Sequence, residues 1–234
     1  MNFSPRTYLI LAAICWSVSG VIIPLVKLDS FTTAGSRSLV AFITLLIANK
    51  FLISKPSKQI LGYLLAYATT VITFVCSVRM IGGSAAVLLQ YGGIFISIIA
   101  SLIKSKEAVS LTDRISLPIL ATGLGITVWG VSEITSFEGI LYAVLSGISY
   151  GFVILYSSTI APKDSMQGVI WGNLLAATAM IPFYNFVGIE IVSVVGILVL
   201  GIFQLACAYI FFIRGASQSS VLDATLIPLL EPVL

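Results

Sequence analysis

Histidine is absent from this 234-residue chain. Its absence removes the commonest metal ligand and the side chain that ordinarily titrates near neutral pH. Charge is scarce too. Asp, Glu, Lys and Arg make up 9% of the residues, 59% are hydrophobic and mean hydropathy is +1.12. An ordinary soluble domain has about 25% charged residues. A soluble fold of this length cannot hide so much apolar surface, so the chain reads as an integral membrane protein. Cysteine is limited to Cys15, Cys76 and Cys207, all within apolar runs and at no metal or disulfide spacing. They read as small buried hydrophobes. There is no Cys–His pair, no carboxylate cluster and no phosphate-binding glycine loop. No catalytic residue, metal site or cofactor is expected, and the chain does not read as an enzyme. A net charge of +3 is too small to point to nucleic acid.

What the chain does have is a succession of apolar runs. A spanning helix takes about 20 mainly apolar residues, and nine segments qualify: Thr7–Val26, Thr32–Asn49, Gln59–Met80, Ser84–Ile103, Asp113–Val131, Glu138–Ile160, Met166–Val187, Ile191–Ile213 and Ser217 to the end. The first run is long for a signal peptide and lacks a clear small-x-small exit, so a first membrane helix is expected. Most of the charge lies in short connectors. With the N-terminus inside, Arg6, Lys50, Lys55, Lys58, Lys104, Lys106, Arg114, Lys163 and Arg214 are cytoplasmic, while Lys27, Arg37 and Arg79 lie toward the outside. That bias follows the positive-inside rule.

The chain also repeats itself weakly. An offset of 135 residues lays Arg79 on Arg214, Ser84 on Ser219 and Gly93 on Pro228, and an offset of 134 lays Trp16 on Tyr150. The implied unit is five helices, and an odd number inverts the second copy. Inverted repeats meeting near the midplane are the plan of secondary transporters.

Polar residues inside the apolar runs are the candidates for function. Asp223 and Glu231 lie within the ninth segment, where a charge costs at least about 2.5–3.5 kcal/mol near the bilayer centre. Each needs a substrate amine, a proton, an ion pair with Arg37 or Lys27, or hydroxyl donors. Both are coupling candidates. Asp223 is the stronger one, and its change to Asn is expected to abolish pH-dependent transport. Glu231 reads as structural, beside Pro232 near the outer end. Pro228 and Pro232 carry no N–H, so they free the carbonyls of Ala224 and Pro228 on one helix face. Arg37 has two open readings: a receptor for a substrate carboxylate, or a pin or headgroup anchor at the outer end. Arg79 and Arg214 read as anchors at helix ends. Gln90, Tyr91, Asn173, Gln204 and Tyr209 are mid-helix polar groups, which join helices or face a ligand. Gly147/Gly151 and Gly168/Gly172 read as packing pairs. Gly82-Gly83 and Gly92-Gly93 read as hinges, and Pro118 and Pro182 as kinks.

These features resemble the drug/metabolite transporter superfamily, and within it the EamA-type permeases. The resemblance is carried by Trp16-Ser17 in the first helix, Ala34-Gly35-Ser36-Arg37 in the second, Ser105-Lys106-Glu107 ending the fourth, and Pro-Leu-Leu-Glu-Pro-Val at 228 to 233. It departs at Gly92-Gly93, where many members have proline. It also departs in helix number, because the family has ten helices and this chain stops in the ninth, which is the expectation for a truncated form or a fragment. The resemblance implies an all-α integral membrane protein of two inverted five-helix repeats, residues 1–133 and 134–234, with the N-terminus cytoplasmic. It also implies a multi-pass protein of the cytoplasmic (inner) membrane that exports small polar metabolites such as amino acids by alternating access. Trp16, Gln90, Tyr91, Tyr150 and Asp223 belong to helices that line the family's cavity. With Arg37 and Gln204 they form the expected substrate-binding set. The expected partners are a small-molecule substrate and the lipid bilayer, with a homodimer left open and no nucleic acid. The alternative is a degenerate, non-transporting membrane scaffold.

Overall fold

A computed structural model describes residues 3–54, 56–92 and 136–233, together with Pro118 and Thr122. The fifth segment apart from Pro118 and Thr122, the fourth beyond Gly92, the expectations for Lys55, Gly93, Lys104, Lys106, Glu107 and Arg114, and the helix around Pro118 on which a kink would show lie outside the described residues.

All regular structure among the described residues is helical. Helix α1 is Pro5–Leu25, α2 Ser30–Ala48 and α3 Lys58–Ile81. A fourth helix, α4, is described over residues 83–92. Helix α5 is Phe137–Thr159, α6 Pro162–Ala179 and α7 the run Ile191–Ala216. Helix α8 is Val221–Leu226 and continues as a 3-10 helix over Ile227–Val233. Among the described residues six helices are long and apolar enough to cross a membrane: Pro5–Leu25, Ser30–Ala48, Ile60–Ile81, Phe137–Ser157, Pro162–Phe183 and Ile191–Ala216.

Local chemistry fixes the helix starts. Ser4, Asp29, Ser57, Ser136 and Ser220 each accept a backbone N–H of the first turn that follows them, which satisfies a donor the helix itself leaves free. Pro162 opens α6, where a missing N–H costs nothing. Between α3 and α4 the chain reverses at Gly82, whose φ of 82° is the left-handed region open to glycine.

Burial is patterned as a bilayer requires. On α1 the buried residues Leu9, Ala12, Trp16, Ser19 and Ile23 recur every three or four positions, while Ile10, Ile14, Val21 and Leu25 point outward. Large aliphatics on the outer face suit lipid, while the inner face mixes apolar, small and polar residues. Helix α3 packs along α5 and α6, α1 along α7, and α2 along α6 and the middle of α7. The 3-10 end of α8 lies along α1. Close approach of α3 and α6 is set by Gly168 and Gly172, where an added Cβ would come within 2.5 Å and 2.7 Å of the Tyr63 and Tyr67 rings.

Three elements differ from the sequence reading. The seventh segment ends as an α-helix at Ala179 instead of running to Val187, so Pro182 sits in a 3-10 turn, Ile181–Phe183, and terminates the helix rather than kinking it. Within α7, Leu200–Cys207 is π-helical. The last segment begins at Val221 and tightens to 3-10 from Ile227, because Pro228 and Pro232 cannot donate the bonds that would continue an α-helix.

Candidate functional site

The side chains with the highest cost of burial converge on one point. Arg37 is fully buried in α2 (0% exposed). Its fork donates to Gln204 Oε1 on α7 at 2.5 Å and to the Val71 carbonyl on α3 at 2.7 Å. Headgroup anchoring is therefore excluded for Arg37, which ties three helices together. The π-helical turn carries Gln204, the residue that meets the guanidinium, and such turns often mark functional sites. Neither ion pair among the described residues involves Arg37, and its Nε has no hydrogen-bond partner there.

Glu231, 9% exposed, is the one carboxylate among the described residues that lines this centre. It accepts from the Tyr91 hydroxyl at 3.1 Å and from Ser19 Oγ at 3.5 Å. Tyr91 also donates to the Pro228 carbonyl at 2.8 Å. That carbonyl is one of the two the prolines were expected to free, so Tyr91 supplies the donor that Pro232 cannot.

Glu231 and Arg37 line one cavity of about 30 Å³, together with Trp16, Gln90, Tyr150 and Gln204. Thr70, Val71 and Phe74 of α3 and Tyr209 of α7 complete the wall. The volume is room for about one water molecule. Trp16 forms the aromatic side, with ring centroids 5.8 Å from Tyr150, 5.4 Å from Tyr209 and 5.3 Å from Phe212. The Tyr150 hydroxyl has no hydrogen-bond partner among the described residues. Gln90 donates to Ser146 Oγ at 2.9 Å, and that hydroxyl donates on to the Thr70 carbonyl at 3.2 Å.

A second cavity, about 280 Å³, shares Glu231 with the first. Ser17, Ser19 and Gly20 of α1 and Gly83, Ser84 and Val87 of α4 line it.

Of the residues singled out from sequence, Trp16, Arg37, Gln90, Tyr150, Gln204 and Glu231 meet at the central cavity, and Tyr91 joins them through Glu231. Asp223 does not. It lies in the first turn of α8, where its N–H donates to Ser220. Its carboxylate is 3.7 Å from Arg6, with the two side chains 36% and 74% exposed. The position expected for Asp223 is the one Glu231 occupies. The reason is where the helix begins: with Ser220 as cap, Asp223 falls at the end near Arg6 and Glu231 two turns deeper. Ser19, Thr70 and Val71 were missed by the sequence reading. Val71 contributes only a carbonyl, for which no sequence signal exists.

Arg79 is an anchor as expected, donating to the Val26 carbonyl and, at 3.4 Å, to Thr33 Oγ1. Arg214 is exposed at the rim of a groove between α2, α6 and α7. Asn173 joins helices, donating to Tyr67 Oη at 2.9 Å. Lys27 pairs with Glu190 at 3.0 Å.

Residues 137–234 match the model of the EamA-like transporter family. Over 226 residues the chain is 24% identical to an uncharacterized transporter of Archaeoglobus fulgidus, spanning 96% of this chain and 82% of that protein. A solved crystal structure, 15% identical, superposes with a TM-score of 0.75 over 98% of this chain and 85% of the other, a likeness of fold. Residues 137–234 are thus similar to the EamA-like transporters, and the apolar helices together with the likeness to a transporter along nearly the whole chain support a multi-pass membrane transporter.

Proposed function

We propose that the chain is a secondary carrier that exports small polar metabolites, amino acids foremost, across the cytoplasmic membrane in exchange for protons. One observation carries this reading: Arg37 and Glu231, of opposite charge, are buried on the wall of the same cavity and are not paired with each other. A guanidinium with its Nε unengaged suits a substrate carboxylate, and a buried carboxylate suits a substrate ammonium. Trp16, Tyr150 and Tyr209 give the apolar body of the substrate a surface to lie on.

A cavity of about 30 Å³ is too small for an amino acid. The described conformation is a closed one on this reading, and the two halves, 1–133 and 134–234, must part at one end and then the other. Substrate ammonium and a proton compete for Glu231. With an inward proton gradient, that competition makes outward substrate movement the downhill direction.

The test is counterflow and net efflux in proteoliposomes of the purified protein, preloaded with a labelled amino acid mixture. Efflux accelerated by an acid exterior is the expected result. Faithful insertion with no flux of any amino acid would leave the non-transporting scaffold as the better account.

A further inference from the structure

We infer that the serine-lined cavity between α1 and α4 is a water-filled route that brings protons to Glu231 from the Lys27 end of the molecule, the outer face when the N-terminus is inside. The inference rests on the transporter reading for its purpose, but its geometry stands by itself.

The cavity is polar where lipid would forbid it to be dry. Ser17, Ser19 and Ser84 line it beside a carboxylate. Ser17 donates to the Ile14 carbonyl and Ser19 to Glu231, and the acceptor sites left on these oxygens are costly in hydrocarbon unless water or protein meets them. About 280 Å³ holds roughly nine water molecules at about 30 Å³ each. Its position along the helices sets its direction. Gly20 lies about 22 Å along α1 from Pro5 at 1.5 Å per residue, and Gly83 begins α4 immediately after the reversal at Gly82. Backbones are close there: a Cβ on Gly83 would stand 3.0 Å from the Gly20 Cα. Glu231 closes the inner end and belongs to both cavities. Its Oε1 meets Ser19, a wall residue of the serine-lined cavity, and its Oε2 meets Tyr91.

The step is a simple transfer. A hydronium in the cavity gives its proton to the Glu231 carboxylate, leaving water and a neutral acid. The reverse step returns the proton to water or hands it to the other compartment after the helices move. The titratable groups around Glu231 are Arg37 from α2, Tyr91 from α4, Tyr150 from α5 and Tyr209 from α7. Among the described residues α1 and α3 contribute none to either cavity wall.

Gly20 gives the handle for the experiment, because an added Cβ meets nothing within 4 Å. In a Cys15→Ala, Cys207→Ala background, Gly20→Cys is treated in oriented vesicles with a charged, membrane-impermeant methanethiosulfonate. Labelling is expected at least tenfold faster from the Lys27 face than from the Arg6 face. In the same vesicles a water-soluble carbodiimide with glycinamide, applied from that face, is expected to convert Glu231 to its glycinamide amide, the mass gained being glycinamide less one water that leaves in the urea. Prior labelling of Gly20→Cys is expected to cut that addition at least tenfold. Labelling that is absent or equal from both faces, or Glu231 modification untouched by the Gly20→Cys label, overturns the route. None of these readouts needs flux, so they judge the route even if no substrate moves. Where flux is present, the label should also remove the response to pH on the Lys27 face.

Discussion

Glu231 and Asp223 stand eight residues apart in the chain and in very different surroundings. Buried and held by hydroxyl donors alone, Glu231 is the residue whose protonation can matter to the cavity. Glu231→Gln is therefore expected to abolish the dependence of net efflux on outer pH, measured as initial rate against pH in proteoliposomes. Asp223→Asn should keep that dependence. It removes only an exposed pair at 3.7 Å, which contributes about 0–1 kcal/mol. Arg37→Lys keeps the charge but loses the planar fork that reaches Gln204 and Val71 together. A hydrogen bond from a charged group is worth about 1.5–3 kcal/mol, so a drop of roughly ten- to a hundredfold in counterflow is expected, with the folded protein still recovered from detergent. The sequence made Trp16, Arg37, Gln90, Tyr150 and Gln204 legible because a polar or large aromatic residue inside an apolar run must face protein. It did not rank the two carboxylates, because Ser217 to Ser220 are all small or polar and leave the first turn of α8 unfixed.

At the level of elements, helix positions followed from hydropathy while helix geometry did not. Apolar length locates α1 to within two residues, from Thr7–Val26 to Pro5–Leu25. The π-helical turn at Leu200–Cys207 has no proline or glycine pair to announce it. Its register answers to the partner it must meet, Arg37 on another helix. The packing glycines were legible, and their consequence is measurable. Gly168→Leu drives a side chain into the Tyr63 ring, which already hydrogen-bonds Ser157 at 2.8 Å. Overpacking of this kind costs about 1–3 kcal/mol. A lowered unfolding temperature in detergent, without loss of membrane insertion, is the expected outcome.

For the whole molecule, orientation is the first thing to establish, since the direction of proton delivery depends on it. An amine-reactive reagent that does not cross membranes, applied to intact cells, is expected to modify Lys27 and to spare Lys58 and Lys163. The opposite pattern would reverse the assignment of faces. The architecture also places Trp16 where no other described tryptophan lies: Trp171 donates its indole N–H to the Ser54 carbonyl at the exposed edge of α6, whereas Trp16 is packed against Tyr150, Tyr209 and Phe212 beside Glu231. The molecule thus carries its own optical reporter. With Trp129→Phe and Trp171→Phe, the remaining tryptophan emission, excited selectively over tyrosine, comes from the cavity wall alone. Its wavelength should move when an amino acid enters or when Glu231 changes charge, so occupancy can be followed by light without a labelled substrate.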